Sequence, residues 1–204
     1  MTIKTWFKDN ILAIGMLAVA VVIRFYYFSI TKTQTLWWDE AAGMAVAKSW
    51  AGLFSYPLES IRMPAYPYMM SFFFKFGTVA EPVMRFIALY IPSLILIWLM
   101  YLVIKEMYED KRVALISMSI MAVLWESLFY SNRFMTENPA LIFEFAALYV
   151  LFKYYVKRQS NLSLIWVTLL SIISLLFRPG NIVFVPAIVI FVIYLSIIRW
   201  RKKE

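Results

Sequence analysis

FIALYIPSLILIWLMYLVI, Phe86–Ile104, contains no charged residue. As a helix rising about 1.5 Å per residue it nearly matches the ~30 Å hydrocarbon layer of a bilayer. Five further stretches read the same way. Ile11–Ile30 is interrupted only by Arg24, Val113–Tyr130 only by Glu126, and Pro139–Val156 by Glu144 and Lys153. Leu162–Phe177 and Ile182–Ile198 are charge-free and joined by Arg178-Pro179-Gly180-Asn181. These last two reach only roughly 25 Å, so flanking residues or a thinned bilayer must complete them. The expected fold class is all-α: one polytopic membrane domain over residues 1–204, with six transmembrane helices.

Composition agrees. Apolar and aromatic residues make up 63% of the chain and charged residues 16%, against about 45–50% and about 25% in soluble domains. Neither Cys nor His occurs, which removes disulfides, thiolate nucleophiles, Ser-His triads and the usual zinc ligands. Any chemistry falls to carboxylates, Lys, Arg, Tyr and hydroxyls. The net charge of +8 does not indicate nucleic acid, because the cations sit in short clusters between apolar runs. No small-residue cleavage site closes the first run; Arg24-Phe25-Tyr26-Tyr27 stands near its end, as in a retained span rather than a signal peptide.

Orientation follows from those clusters. With the N-terminus inside, Lys4/Lys8, Lys105/Lys111/Arg112, Lys153/Lys157/Arg158 and Arg199/Arg201/Lys202/Lys203 all face the cytoplasm. A multi-pass plasma-membrane protein with both termini cytoplasmic is expected. Between the first two spans lies an outer loop, residues 31–82, of about fifty residues, and long ordered loops are usually functional. It opens Leu36-Trp37-Trp38-Asp39-Glu40-Ala41-Ala42, runs as a helix-like stretch to Trp50 and breaks near Gly52. A second apolar patch, Pro64–Gly77, is too short to span and rich in aromatics, which suits an interfacial helix.

Asp39 and Glu40 are the candidate centre. Two adjacent carboxylates stand just outside the first span, behind a Trp pair suited to headgroup depth. Asp39 is a good helix cap and Glu40 favours a positive helix end; a carboxylate at a water–lipid boundary can also serve as a base. Both readings stay open. Arg24, Arg85, Glu126, Arg133, Glu137 and Arg178 fall near the outer halves of their spans, level with Asp39 and Arg62. Pairing of Arg24 or Arg85 with Glu126 or Glu137 would lock helices together. A mixed cleft facing outward would instead suit a phosphate leaving group beside a carboxylate base.

Four motifs occur in order: Trp37-Trp38-Asp39-Glu40-Ala41, Arg62-Met63-Pro64-Ala65-Tyr66-Pro67, Glu81-Pro82-Val83-Met84-Arg85-Phe86, and Asn132-Arg133-Phe134-Met135-Thr136-Glu137-Asn138-Pro139. In this the chain resembles the N-terminal half of the GT-C glycosyltransferases that take sugar from a polyprenyl phosphate, the protein O-mannosyltransferases and the aminoarabinose transferases of lipid A. The resemblance implies a polyprenyl- or dolichyl-phosphate sugar donor, a protein, glycan or lipid acceptor at the outer face, and inversion at the anomeric carbon. It implies Asp39 as general base with Glu40 in support, and Arg62 on the lipid phosphate. Arg85, Arg133 and Arg178 are expected to share that phosphate, with Glu137, Arg24 and Tyr66 supporting the cleft. No cofactor is required; a divalent cation is compatible with the carboxylates but not indicated, and no metal ligands are assigned. Relatives carry more spans and a soluble outer domain, so a partner subunit or a missing C-terminal half is expected, with a reduced complete form as the other reading. Two competing functions are a non-catalytic lipid-phosphate-binding or flippase-like subunit and a small transporter. The transporter would show inverted repeats, and none is evident.

Overall fold

A computed structural model describes residues 3–53, 55, 63–77 and 79–201. Among these the only regular structure is helical. In chain order we number α1 (Ile3–Thr31), α2 (Trp38–Trp50), α3 (Ala65–Lys75), α4 (Glu81–Tyr108), α5 (Lys111–Val123), α6 (Trp125–Tyr130), α7 (Glu137–Lys157), α8 (Ser163–Phe177) and α9 (Phe184–Arg201). Four stretches are long and apolar enough to cross a membrane: Thr5–Thr31, Glu81–Tyr108, Glu137–Lys157 and Pro179–Arg201. α8 is apolar but shorter, at 15 residues.

Local chemistry sets the helix ends. α4 stops at Glu109, whose φ of 57° reverses the chain, and Asp110 Oδ1 accepts the Arg112 N–H at 2.7 Å to cap α5. α8 stops at Arg178 because Pro179 follows, and a residue before proline is pushed out of the helical region; Arg178 takes φ −144°, ψ 119°. One 3₁₀ turn, Pro179–Val183, leads into α9. In the long loop between α1 and α4, α2 ends at Trp50, and Gly52 takes φ 80°, a left-handed value that glycine adopts at little cost.

The stretch expected as one span over residues 113–130 is instead broken. Leu124 is extended (φ −58°, ψ 127°) between α5 and α6. Arg24 explains how the break is tolerated. Its fully buried guanidinium donates to Ala122 O at 2.6 Å, Met121 O at 3.2 Å and Ser127 Oγ at 2.6 Å. These are carbonyls that a helix end leaves without partners, and inside a membrane they must be satisfied by protein. The expected ion pairing of Arg24 with Glu126 or Glu137 is thereby corrected: its partners are backbone carbonyls and a hydroxyl.

α1 meets α5 through small residues. Ala13 and Ala20 face Ala114, Met118 and Ala122, with Ile97 and Tyr101 of α4 beside them; small side chains let helix axes approach where lipid supplies no hydrophobic drive. α4 packs on α5 and α7, α7 on α8, α2 on α3, and α3 on α8. The outer surface is apolar. Leu12, Val22, Ile116, Ile120, Trp166 and Ile190 are exposed, and α9 buries no residue at all. Exposed apolar faces of this extent require lipid around them, so the chain is a membrane protein.

The polar contacts gather at two opposite ends. At one, Lys111 pairs with Asp9, Lys157 with Glu106 and Glu109, and Arg199 donates to the carbonyls of Tyr155 and Val156. The other end carries the long loop between α1 and α4, with Arg85, Arg133, Glu137 and Arg178.

Candidate functional site

Glu40 is the knot of that second end. Its side chain is fully buried, and Oε2 accepts the Trp37 N–H at 2.7 Å and Arg133 Nη1 at 2.9 Å. Oε1 accepts the Phe134 N–H at 2.7 Å and lies 3.9 Å from Arg85 Nη1. A buried carboxylate without such partners would cost several kcal/mol, on the order of the penalty for any desolvated ion. The bond to Trp37 also answers the capping question. α2 begins at Trp38, its cap position is Trp37, and the satisfied N–H is reached by Glu40. Asp39 sits in the first turn and does not occupy the cap position.

Two arginines complete the knot. Arg85 is fully buried; its Nε and Nη2 donate to Glu81 Oε1 at 2.9 and 2.6 Å, Nη2 also to Gln34 O at 3.2 Å, and Nη1 to Asn132 O. Its guanidinium lies 4.6 Å from the Phe134 ring centre. The i,i+4 spacing of Glu81 and Arg85 on one helix face makes their pair local. Arg133 Nη1 donates to Thr35 O at 3.1 Å as well as to Glu40, and the guanidinium stacks 4.3 Å from Trp37 and 5.4 Å from Phe129. Gln34 Nε2 donates to Asn132 O at 2.8 Å, and Asn132 Nδ2 to Thr31 Oγ1. The chain entering α2 is thus stitched to the turn between α6 and α7.

One helical step from Glu40, Asp39 lines a different space. Adjacent helical side chains diverge by about 100°, and here one is buried among arginines while the other faces a cleft. That cleft encloses about 190 Å³ between α2, α3 and the turns before α7 and α9, lined by Asp39, Tyr66, Phe134, Thr136, Glu137 and Pro179 among others. Tyr66 is 2% exposed, and its hydroxyl has no hydrogen-bond partner; nor has the buried Oε2 of Glu137. Burial pushes the Tyr66 phenol well above its ordinary range, the charges of Glu40 and Glu137 add to this, and Arg85 opposes it. Tyr66 therefore stays a hydrogen-bond donor at neutral pH. Glu137 Oε1 lies 3.6 Å from Arg178 Nη2, and Arg178 is exposed at the turn before α9.

The structure thus brings Asp39, Tyr66 and Glu137 to one cleft with Arg178 beside Glu137. It sets Glu40, Arg85 and Arg133 together behind it, and Arg24 apart on the α5 end. Arg62 lies outside the described residues. Arg85 pairs with Glu81 and Glu40 in place of the expected Glu126 or Glu137, and Glu126 is exposed. Glu81, Gln34 and Thr35 were missed as scaffold residues. The i,i+4 spacing could have found Glu81, whereas Thr35 acts through its backbone carbonyl and Gln34 through its carbonyl and its side-chain amide, neither of which carries a sequence signal. Among the described residues no group of three or more His, Cys, Asp or Glu is placed to hold a metal ion.

Fold and site together define a class: a helical membrane protein whose loop helices close a carboxylate-lined cleft beside an exposed arginine at one end of the bundle. The family model for dolichyl-phosphate-mannose-protein mannosyltransferase matches residues 61–204. The chain belongs to that family, a family of GT-C membrane glycosyltransferases. No curated protein and no solved structure matches it. The match begins after Asp39 and Glu40, yet Glu40 bonds directly to Arg133 and Phe134 within the matched region.

Proposed function

We propose that the chain is a membrane glycosyltransferase, or the N-terminal module of one, that transfers a sugar from a polyprenyl- or dolichyl-phosphate donor to a protein, glycan or lipid acceptor at the outer face. The observation that carries this reading is the cleft in which Asp39 stands with Tyr66 and Glu137, with Arg178 bridged to Glu137. Asp39 accepts the proton of the acceptor as the acceptor attacks the anomeric carbon. The bond from that carbon to the phosphate oxygen breaks on the opposite face, and the lipid phosphate leaves with the electron pair. The configuration inverts. Arg178, with Arg62 from the family resemblance, neutralises the departing phosphate. Arg85 and Arg133 are engaged by Glu40, Glu81 and backbone carbonyls, so they hold the loop and add positive potential rather than direct contact.

The topology fits six crossings, with α5–α6 and α8 completing the four longer spans. The basic end then faces the cytoplasm with both termini, and the cleft faces out across the plasma membrane. The test is transfer from a radiolabelled polyprenyl-phosphate mannose in proteoliposomes, wild type beside Asp39→Asn. We expect Asn to lower the rate about 10²–10⁴-fold, the contribution of a positioned general base. Equal rates would remove Asp39 as the base.

A further inference from the structure

Two polar groups in the cleft lack partners, and they are of opposite kind. Tyr66 Oη is a buried donor and Glu137 Oε2 a buried acceptor. Buried polar atoms are nearly always satisfied, and here both groups line the same pocket as Asp39. We propose that Tyr66 and Glu137 form a hydroxyl-reading subsite that binds the sugar ring of the donor through its hydroxyl groups; this rests on the function proposed above.

The chemistry selects hydroxyls over phosphate. A phosphate is an acceptor with negative charge, so it would find one donor in Tyr66 and repulsion from Glu137 and Asp39. A sugar hydroxyl can accept from the phenol and donate to the carboxylate, either at one oxygen or at two neighbouring ones. The phenol is held in its donor form by burial and by the flanking Glu40 and Glu137 charges. Glu137 is held from its other oxygen, 3.6 Å from Arg178 Nη2. One carboxylate thereby links the exposed cation, suited to phosphate, to the interior, suited to the sugar. The sugar lies inward at Tyr66 and Glu137 Oε2, and the phosphate lies outward beside Arg178.

The subsite predicts a split in binding that a structural role does not. The test uses the full chain in nanodiscs, with two probes: undecaprenyl-phosphate mannose and undecaprenyl phosphate without sugar. Tyr66→Phe and Glu137→Gln should each weaken the mannosyl lipid about tenfold, the scale of one lost hydrogen bond to a charged or buried group. Tyr66→Phe should leave undecaprenyl phosphate affinity within about twofold of wild type, on the scale set by RT, which also shows the fold is retained; Glu137→Gln, which frees Arg178 of its partner, should leave that affinity equal or higher. Arg178→Ala should weaken both probes together. Mannosyl-lipid binding unchanged in both variants, or parallel loss of the two probes, would overturn the subsite while leaving the glycosyltransferase reading standing. Wild-type protein that bound neither probe better than free undecaprenol would overturn that reading, and the subsite with it.

Discussion

Asp39 and Glu40 adjoin in sequence and differ in surroundings, so their substitutions should fail in opposite ways. Glu40 holds Arg133 directly and Arg85 at longer range, and its side chain is fully buried. Removing one partner of a buried pair costs about 3–5 kcal/mol. Glu40→Gln should therefore lower the thermal unfolding midpoint in detergent and open the loop between α1 and α4 to limited proteolysis. Asp39→Asn should leave both measurements near wild type while lowering transfer about 10²–10⁴-fold. An Asp39→Asn protein as unstable as Glu40→Gln would make Asp39 part of the scaffold. At the cleft mouth, Arg178→Ala should weaken a lipid phosphate by about tenfold, a charge-assisted contact being worth about 1.5–3 kcal/mol. Arg178→Lys should recover only part, since the planar fork is lost.

At the scale of the element, the interruption between α5 and α6 is the feature that most affects the site. Arg24 satisfies Met121 O and Ala122 O, which lets α6 leave the line of α5. α6 brings Phe129 within 5.1 Å of the Trp37 ring centre, and the turn after it supplies Asn132, Arg133 and Phe134 to the loop. An arginine in α1 thus supports the site without entering it. Arg24→Leu should bare carbonyls in apolar surroundings, at about 1–3 kcal/mol each. Amide exchange should rise across Trp125–Tyr130, while that of α9 stays unchanged. Equal protection of α6 in both proteins would mean that the break stands without Arg24.

Across the whole molecule, charge divides the two ends. Lys111, Lys157 and Arg199 mark one, and the loop with its cleft marks the other. The natural sequence lacks cysteine, so single substitutions report cleanly. Ser55→Cys and Arg158→Cys should react with an impermeant thiol reagent from opposite sides of sealed vesicles, Ser55→Cys from the outside of the cell. Labelling of both from one side would rule out the six-crossing topology.

The apolar runs determined that the chain is a helical membrane protein, because a bilayer reads helix length and hydropathy residue by residue. Proline and glycine likewise fixed the turn at Arg178-Pro179 and the end of α2 at Gly52. The family was legible too, since Arg62–Pro67 and Asn132–Pro139 lie inside the matched region. Partnership was not. Whether an arginine meets a phosphate or a neighbouring carboxylate depends on residues roughly fifty or ninety positions away, as with Arg85 and Asn132 or Glu40 and Arg133. Nor could hydropathy place the break at Leu124, whose runs on both sides are apolar; Arg24, about a hundred residues earlier, makes it tolerable. Only the packing of α1 on α5, and of the loop on the α6–α7 turn, decided which charges hold the fold and which line the cleft, because desolvation forces each buried charge to take the partner that geometry brings to it.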